Sequence, residues 1–353
     1  MVVALPAFHL IARAFPNAQR ALLTNVSFHV KASDPAAVLG NSGLIHNYVY
    51  YPGATRNALK LFALAARIRR FNPDVLIHLM PLRAAQHERR DRLFFRLAGI
   101  RRIVGFPAEG DLQRRFDSAN GRYESESSRL ARTLAELGTV DLADLANWDL
   151  GLTPAEKSKA ASALGTLTER PLIVCGPGTK MQAKDWGREN WRALLTAIHR
   201  RHPDHGLALI GSKGETEYAD YSAQDWLAPK VNLCGQLTPR ESAAVIAHSR
   251  VFLGPDSGPM HLASTVGVPS VAAFSAHALP GVWFPNGSLN QVIYHQTSCY
   301  NCRLETCIAE GKRCLLSITV DEMFSAAIKV LDRPRDRSAA PLVEIRSAST
   351  SVQ

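Results

Sequence analysis

Cysteine is scarce, six in 353 residues, and four of the six crowd between Cys299 and Cys314. A secreted disulfide framework would scatter its cysteines in pairs, so this distribution excludes one and fits a reducing cytoplasm. Long apolar runs are also missing. No stretch approaches the ~20 uninterrupted apolar residues that a bilayer-spanning helix needs. Met1 to Ala12 is apolar apart from His9, but Arg13 and Arg20 follow it; a secretory signal has the opposite order, and the segment reads as a helix. Aromatics reach only 7% and are not interleaved with basic residues, so no nucleic-acid partner is expected. Neither a Walker loop nor a complete Gly-x-Gly-x-x-Gly occurs, which disfavours a P-loop nucleotidase and a dinucleotide-dependent oxidoreductase. Acidic residues fall short of basic ones, 31 against 41, for a net charge of +10. Charge alone favours an anionic partner, a nucleotide, a nucleic acid or an acidic membrane surface, without choosing among them; the aromatic pattern is what argues against the nucleic acid.

What is present is an ordinary globular composition with room for two cores. Strand-like and helix-like segments alternate, which argues for parallel sheets covered on both faces. In the first part, helices are expected over Leu5–Ala14, Asn57–Phe71 and Ala84–Leu97, with Leu59, Leu61, Phe62, Ala65 and Ile68 spaced for one buried face. Strands are expected at Ala21–Thr24, Val75–Leu79 and Ile103–Phe106, and Asp117–Ser128 reads as a polar loop. Thr153-Pro154-Ala155-Glu156 is a capping box that starts a helix, and the domain boundary is placed just before it, giving domains 1–150 and 151–332. The second part alternates more cleanly, with strands at Pro171–Cys175, Leu207–Ile210, Val251–Leu253 and Val271–Phe274 and a second capping box at Thr238–Glu241. Residues 333–353 lack periodicity and read as a disordered tail. Two doubly wound halves place a ligand in the cleft between them.

Three constellations carry chemistry. Gly176-Pro177-Gly178-Thr179-Lys180, with Lys184 close behind, follows a strand; glycines admit a phosphate to backbone N–H groups and lysine supplies countercharge. A plain turn with solvated lysines is the alternative. Asp256-Ser257-Gly258-Pro259-Met260-His261 stands where a strand hands over to a helix. Asp256 or Ser257 can cap that helix, Gly258 permits close approach, and free N–H groups with the helix dipole attract an anion; the alternative is an ordinary cap with His261 bonded in the core. Cys299-x2-Cys302-x4-Cys307-x6-Cys314 has the donors for a structural zinc, with reduced thiols under a loop as the competing reading. A basic stretch through Arg83, His87, Arg89, Arg90, Arg92, Arg96, Arg101 and Arg102 is a solvated helix face or, for a subset, a contact for acceptor phosphates and anionic lipid.

Read together, these motifs resemble glycosyltransferase family nine, whose members include ADP-heptose:lipopolysaccharide heptosyltransferases. The resemblance rests on K-D-W at 184–186 with Trp191, D-S-G-P-M-H-L-A at 256–263, G-V-P at 267–269, the cysteine spacing with C-L-x-x-I at 314–318, A-L-P-A at 4–7 and F-P-N-A at 15–18. It implies a GT-B fold of two Rossmann-like domains facing a cleft, and inverting, metal-independent transfer of a heptose-like sugar, with no cofactor beyond the donor. That donor would be a nucleoside-diphosphate sugar such as ADP-heptose, and the acceptor a lipopolysaccharide core or related glycan, at the cytoplasmic membrane face. Carried over by position, Thr179, Lys180 and Lys184 neutralise the diphosphate and Glu215 meets the ribose or base. Asp256, Ser257, Gly258 and His261 form the phosphate-binding helix start, and Arg83 and Arg101 lie on the acceptor side. The family's first strand and its general-base Asp fall ahead of Met1 in this alignment, so no catalytic base is assigned and the N-terminal sheet is expected to lack that strand. Ser275-Ala276-His277 replaces the family's G-P-T. A relative that binds the donor without turnover is the second reading.

Overall fold

The computed structural model describes residues 1–26, 33–53, 57–106 and 113–334. Residues 335–353, most of the expected disordered tail, lie outside the described residues.

The first lobe opens with α1 (Leu5–Ala14), which has Pro6 in its first turn and buries Leu5, Phe8, Leu10 and Ile11. There follow β1 (Ala21–Val26), α2 (Pro35–Leu39), β2 (Asn47–Pro52), α3 (Ala58–Phe71), β3 (Val75–Ile77), α4 (Ala85–Leu97) and β4 (Arg102–Val104). The strands are parallel, as the alternation requires, yet they form two separate pairs, β1 with β2 and β3 with β4. Both pairs lie in one layer. Leu22, Val75 and Ile77 pack against the main core, while Leu23, Leu76 and Ile103 pack toward Ile68, Ala98 and Ile100 on the other face, the period-two alternation of strands covered on both sides. No strand among the described residues joins β1 to β3.

Two expectations are corrected here. On α3 the inward stripe is Ile68, which is buried, with half-buried Leu61, Leu64 and Ala65, whereas Leu59 and Phe62 are 80% and 72% exposed; a spacing of i, i+3, i+4, i+7 fits the first set and leaves the other two off the stripe. Residues 117–128 are not a loop. They hold a short antiparallel hairpin, β5 (Phe116–Asp117) and β6 (Arg122–Tyr123), and the start of α5 (Glu126–Thr133). Ser125 caps α5 by accepting from the Ser128 amide. The hairpin and α5 reach the second lobe, where the Tyr123 and Glu126 amides donate to Pro280 and Val282 carbonyls.

The second lobe comprises α6 (Pro154–Leu164), β7 (Leu172–Cys175), α7 (Arg188–Arg201), β8 (Gly206–Leu209), α8 (Thr216–Ser222), β9 (Lys230–Asn232), α9 (Pro239–Ala247), β10 (Val251–Pro255), α10 (Gly258–Thr265), β11 (Ser270–Phe274), β12 (Gln291–Tyr294), α11 (Arg313–Leu316) and α12 (Val320–Leu331). Both capping boxes are formed, Thr153 with Glu156 and Thr238 with Glu241. Six parallel strands run in the order β12-β11-β10-β7-β8-β9. β7, β8, β10 and β11 are buried at every position, which is why they read as continuous apolar runs. The chain moves one way from β7 and returns to the other side at β10, so the crevice outside the carboxyl ends of β7 and β10 is the topological switch point.

One core runs through both lobes, joining Leu5, Phe8 and Leu39 to Val174, Phe252 and Met260. Arg240 of α9 ties the same parts together. Its guanidinium is buried and donates to the Glu156 carboxylate from Nε (2.5 Å) and Nη2 (3.0 Å), and to the carbonyls of Leu150 (2.8 Å), Gly151 (2.8 Å) and Val38 (3.3 Å).

Candidate functional site

Parallel strand order brings two distant segments, 176–184 and 256–261, to one crevice. After β7 the backbone leaves through Gly176-Pro177-Gly178. A Cβ on Gly178 would stand 2.6 Å from the Glu215 carboxyl carbon, so only glycine fits beneath that side chain. Glu215 is held there by a capping box: its Oε2 accepts from the Ser212 amide (2.6 Å) and hydroxyl (2.7 Å). Oε1 faces Gly178. Thr179 is half-buried and its hydroxyl accepts from the Met181 amide, while Lys180 is exposed.

Lys184 reaches across to Asp256 at the end of β10, with Nζ 2.7 Å from Oδ2. Asp256 is buried, so Lys184 neutralises a carboxylate that would otherwise repel an anion. Asp256 therefore serves as the lysine's counter-ion rather than as a helix cap. Nor does Ser257 cap: α10 begins with no side-chain hydrogen bond to its first turn. The amides of Ser257, Gly258 and Met260 have no partner within the helix and keep its anion-attracting end open, and a Cβ added to Gly258 would meet nothing within 4 Å outside its own helix and chain neighbours. Burial pushes the His261 imidazole down to about 4 against the opposing pull of Asp256, so it is a neutral hydrogen-bonding group at physiological pH.

His277, just past β11, joins this group. Burial and then Lys184 lower its pKa, and Asp256 opposes them. Ser257 Oγ, Ser275 Oγ and His277 Nδ1 are buried here without a hydrogen-bond partner among the described residues. Buried polar atoms are rarely left unpaired, and these three lie at the ends of two adjacent strands, β10 and β11. In the sequence His277 stands out only as part of a departure from the family's motif; its position immediately after a buried strand at the carboxyl edge is the signal that points to it.

The first lobe contributes a second polar group that spacing did not reveal. His78 follows β3 and stacks on Phe106 with centroids 3.9 Å apart, its Nε2 3.6 Å from Glu88 Oε2. Burial, reinforced by Arg83, pushes His78 down to about 4, and burial raises Glu88 against the pull of Arg83. Arg83 pairs with Asp91 at 2.6 Å. Arg101 is exposed and precedes β4, so it stands at the opposite strand end from His78 and is not brought together with Arg83.

The sign of the His78 shift sets an acid sensitivity. An unfolded chain takes up the proton near the ordinary value of about 6.5, whereas the folded one resists until about 4. Stability is thus complete above about pH 6.5 and declines as pH falls toward 4. Thermal melting against pH checks this: His78→Asn should flatten the decline, and an unchanged slope would contradict it.

Comparison with known proteins bears on this geometry. The family model described as Glycosyltransferase family 9 (heptosyltransferase) matches residues 90–313. Lipopolysaccharide heptosyltransferase 3 of Escherichia coli is 30% identical over 105 residues, which are 30% of this chain and 31% of that protein; the match thus spans about a third of the relative's length. Among solved structures, the glycosyl transferase family 9 protein of Veillonella parvula aligns over 94% of this chain and 93% of its own, with a TM-score of 0.68 and 16% identity. Heptosyltransferase II of E. coli, an ADP-heptose lps heptosyltransferase, aligns over 94% and 95% with a TM-score of 0.61 and 17% identity. These likenesses establish the fold, and it is the GT-B arrangement expected from the motifs.

Proposed function

The chain belongs to glycosyltransferase family 9, and from that premise we propose that it transfers a heptose-like sugar from a nucleoside-diphosphate donor to a lipopolysaccharide-core type of acceptor. The observation that carries this reading is the crevice at the switch point, where an uncapped helix start, Lys184 and three unpaired buried polar atoms converge. The diphosphate sits against the α10 amides with Lys184 beside it, and Glu215 Oε1 accepts from a ribose hydroxyl. ADP-heptose is the donor this reading favours.

Inverting transfer needs little else from this lobe. The acceptor oxygen attacks the anomeric carbon opposite the diphosphate, its proton passes to a base, and the bond from carbon to diphosphate oxygen breaks. Charge then grows on the leaving diphosphate, where α10 and Lys184 are already placed, so their stabilisation rises in the transition state without a metal. The acceptor approaches from the first lobe.

Lys184→Ala is expected to cost roughly 1.5–3 kcal/mol of donor binding, one to two decades in affinity. It also strands the buried Asp256 carboxylate, so the variant should melt lower. Adding Asp256→Asn should restore the melting temperature and leave donor affinity weak. Calorimetry with ADP and ADP-heptose reads both; unchanged donor affinity would remove Lys184 from the site. Product formation from ADP-heptose and a heptose-free core acceptor tests the reaction itself. Donor binding with no transfer would favour the second reading, a relative that binds without turnover.

Contact with the anionic membrane surface is part of the proposal. No helix among the described residues is long and apolar enough to cross a membrane. On α3 and α4, however, Leu59, Phe62, Leu93 and Leu97 are exposed beside Lys60, Arg70, Arg89 and Arg96. Each basic residue near such a surface contributes ~1 kcal/mol. Sedimentation should show binding to anionic vesicles that weakens with salt; equal association with neutral vesicles would sink the idea.

A further inference from the structure

The four clustered cysteines are not used by the transfer chemistry, and their surroundings are unusual. Residues 295–312, between β12 and α11, contain no helix or strand. Irregular segments of this length are uncommon unless something organises them. Its apolar side chains do not: Ile308 is 84% exposed, and Leu304 and Tyr300 also face solvent. Yet the segment is held in a demanding shape. Four non-glycine residues have left-handed backbone among the described residues, and three of them, Asn301, Arg303 and Lys312, lie here, on both sides of Cys302 and just ahead of Cys314. Such conformations cost of order 1–3 kcal/mol each and persist where surrounding structure enforces them.

At the centre is a small cavity of about 10 Å³ lined by Cys299, Cys302, Cys307 and Cys314 with His277 and Lys312. That is room for about one water-sized sphere, too little for an organic ligand and enough for an ion. All four cysteines are free. The Ala276 amide donates to Cys314 Sγ at 3.4 Å, and Lys312 stands at the cavity wall beside the Arg313–Glu310 ion pair.

We propose that Cys299, Cys302, Cys307 and Cys314 bind one thiophilic divalent transition-metal ion, zinc in the first instance. Each thiol gives its proton to solvent as its sulfur–metal bond forms, and nothing is oxidised. Four thiolates around a dication leave a charge of −2, which Lys312 and the Ala276 N–H offset in part, Arg313 being paired with Glu310 at the same wall. Sulfurs at bonds of ~2.3 Å stand roughly 3.8 Å apart. In the structure no three of them lie within 4.8 Å of one another, so binding draws the side chains inward and tightens the loop. The tightening reaches the donor crevice. Glu305 accepts from the Ala183 amide, the Cys307 amide donates to Gln182, and Lys312 Nζ donates to the Asp185 carbonyl (3.0, 2.8 and 2.7 Å). On the other side the Asn301 and Arg303 amides donate to Ala276 and His277 (2.7 and 2.9 Å). The loop thus clasps both segments that present Lys184 and His277, and the ion positions them without touching substrate.

The test uses the full chain, stripped of metal under reducing conditions and titrated with cobalt(II), then with zinc. The expected result is one equivalent bound, with the red-region bands and sulfur-to-cobalt charge transfer of a tetrahedral thiolate site, displaced by zinc and accompanied by a higher melting temperature. Cys302→Ser with Cys314→Ser should abolish the spectrum, whereas Cys234→Ser, outside the loop, should not change it. Because the wild type carries the decisive spectrum, a misfolded variant does not blur the outcome. A wild-type chain that gives no thiolate–cobalt spectrum, or a Cys302/Cys314 double variant that keeps it, overturns the proposal. Neither result depends on which sugar donor the crevice takes.

Discussion

Arg240→Ala is expected to destabilise the chain by roughly 3–5 kcal/mol, the cost of removing one partner of a buried ion pair and stranding the other. Arg240 is 3% exposed, and its loss would orphan the Leu150 and Gly151 carbonyls as well as the Glu156 carboxylate. Glu156 is also the return arm of the capping box that starts α6, so the helix start and the joint between lobes weaken together. Burial opposes ionisation of Glu156, but the Arg240 guanidinium and the Thr153 bonds outweigh it and hold its carboxyl below the ordinary range. Stability from this pair is therefore present above about pH 4.5 and is lost as pH falls through the lowered value. Urea unfolding at neutral pH and at pH 4 measures both effects. Arg240→Lys keeps the charge but not the fork, and should recover only part of the loss. A cost below about 1 kcal/mol for the alanine variant would mean that the lobes do not depend on this joint.

Gly258→Val is expected to leave folding nearly unchanged and to reduce donor affinity by on the order of 100-fold, the scale of losing a preorganised backbone donor. The two halves of that expectation come from one observation. A Cβ at Gly258 meets no atom within 4 Å outside its own helix and chain neighbours, so the rest of the protein does not resist the substitution, and in the proposed reading that space is where the diphosphate approaches the α10 amides. Ser257→Ala should be milder, because the Ser257 hydroxyl makes no capping bond whose loss would disturb the helix. Calorimetric titration with ADP, paired with thermal melting, separates the effects. Wild-type affinity in the valine variant would place the phosphates elsewhere, and a large drop in melting temperature would show that the glycine serves the fold.

Much of the second lobe was legible because its signals are local. A capping box occupies four consecutive residues, a buried parallel strand is a short apolar run, and a Gly-rich exit follows its strand directly. Thr153–Glu156, Leu172–Cys175, Thr238–Glu241 and Val251–Leu253 could all be read this way. The first lobe was less legible. β3 and β4 were legible as apolar runs although each has only three residues, but the five-residue α2 and the half-buried β2 were not, and α5 was hidden in a polar stretch whose burial depends on Arg114 and Arg129 pairing with Glu126.

The sequence by itself determined the fold class, the two strand exits that face the crevice, and the residue types there, since each follows from spacing within about a dozen positions. Only the tertiary structure decided how they are used. Lys184 and Asp256 pair across the crevice because the strand order sets β7 beside β10. His277 enters because β11 is the next strand over. Leu59 and Phe62 face outward because α3 offers its neighbours one stripe alone. Periodicity states which face of an element is apolar; strand order and helix packing, acting across distant positions, decide what that face or strand end meets.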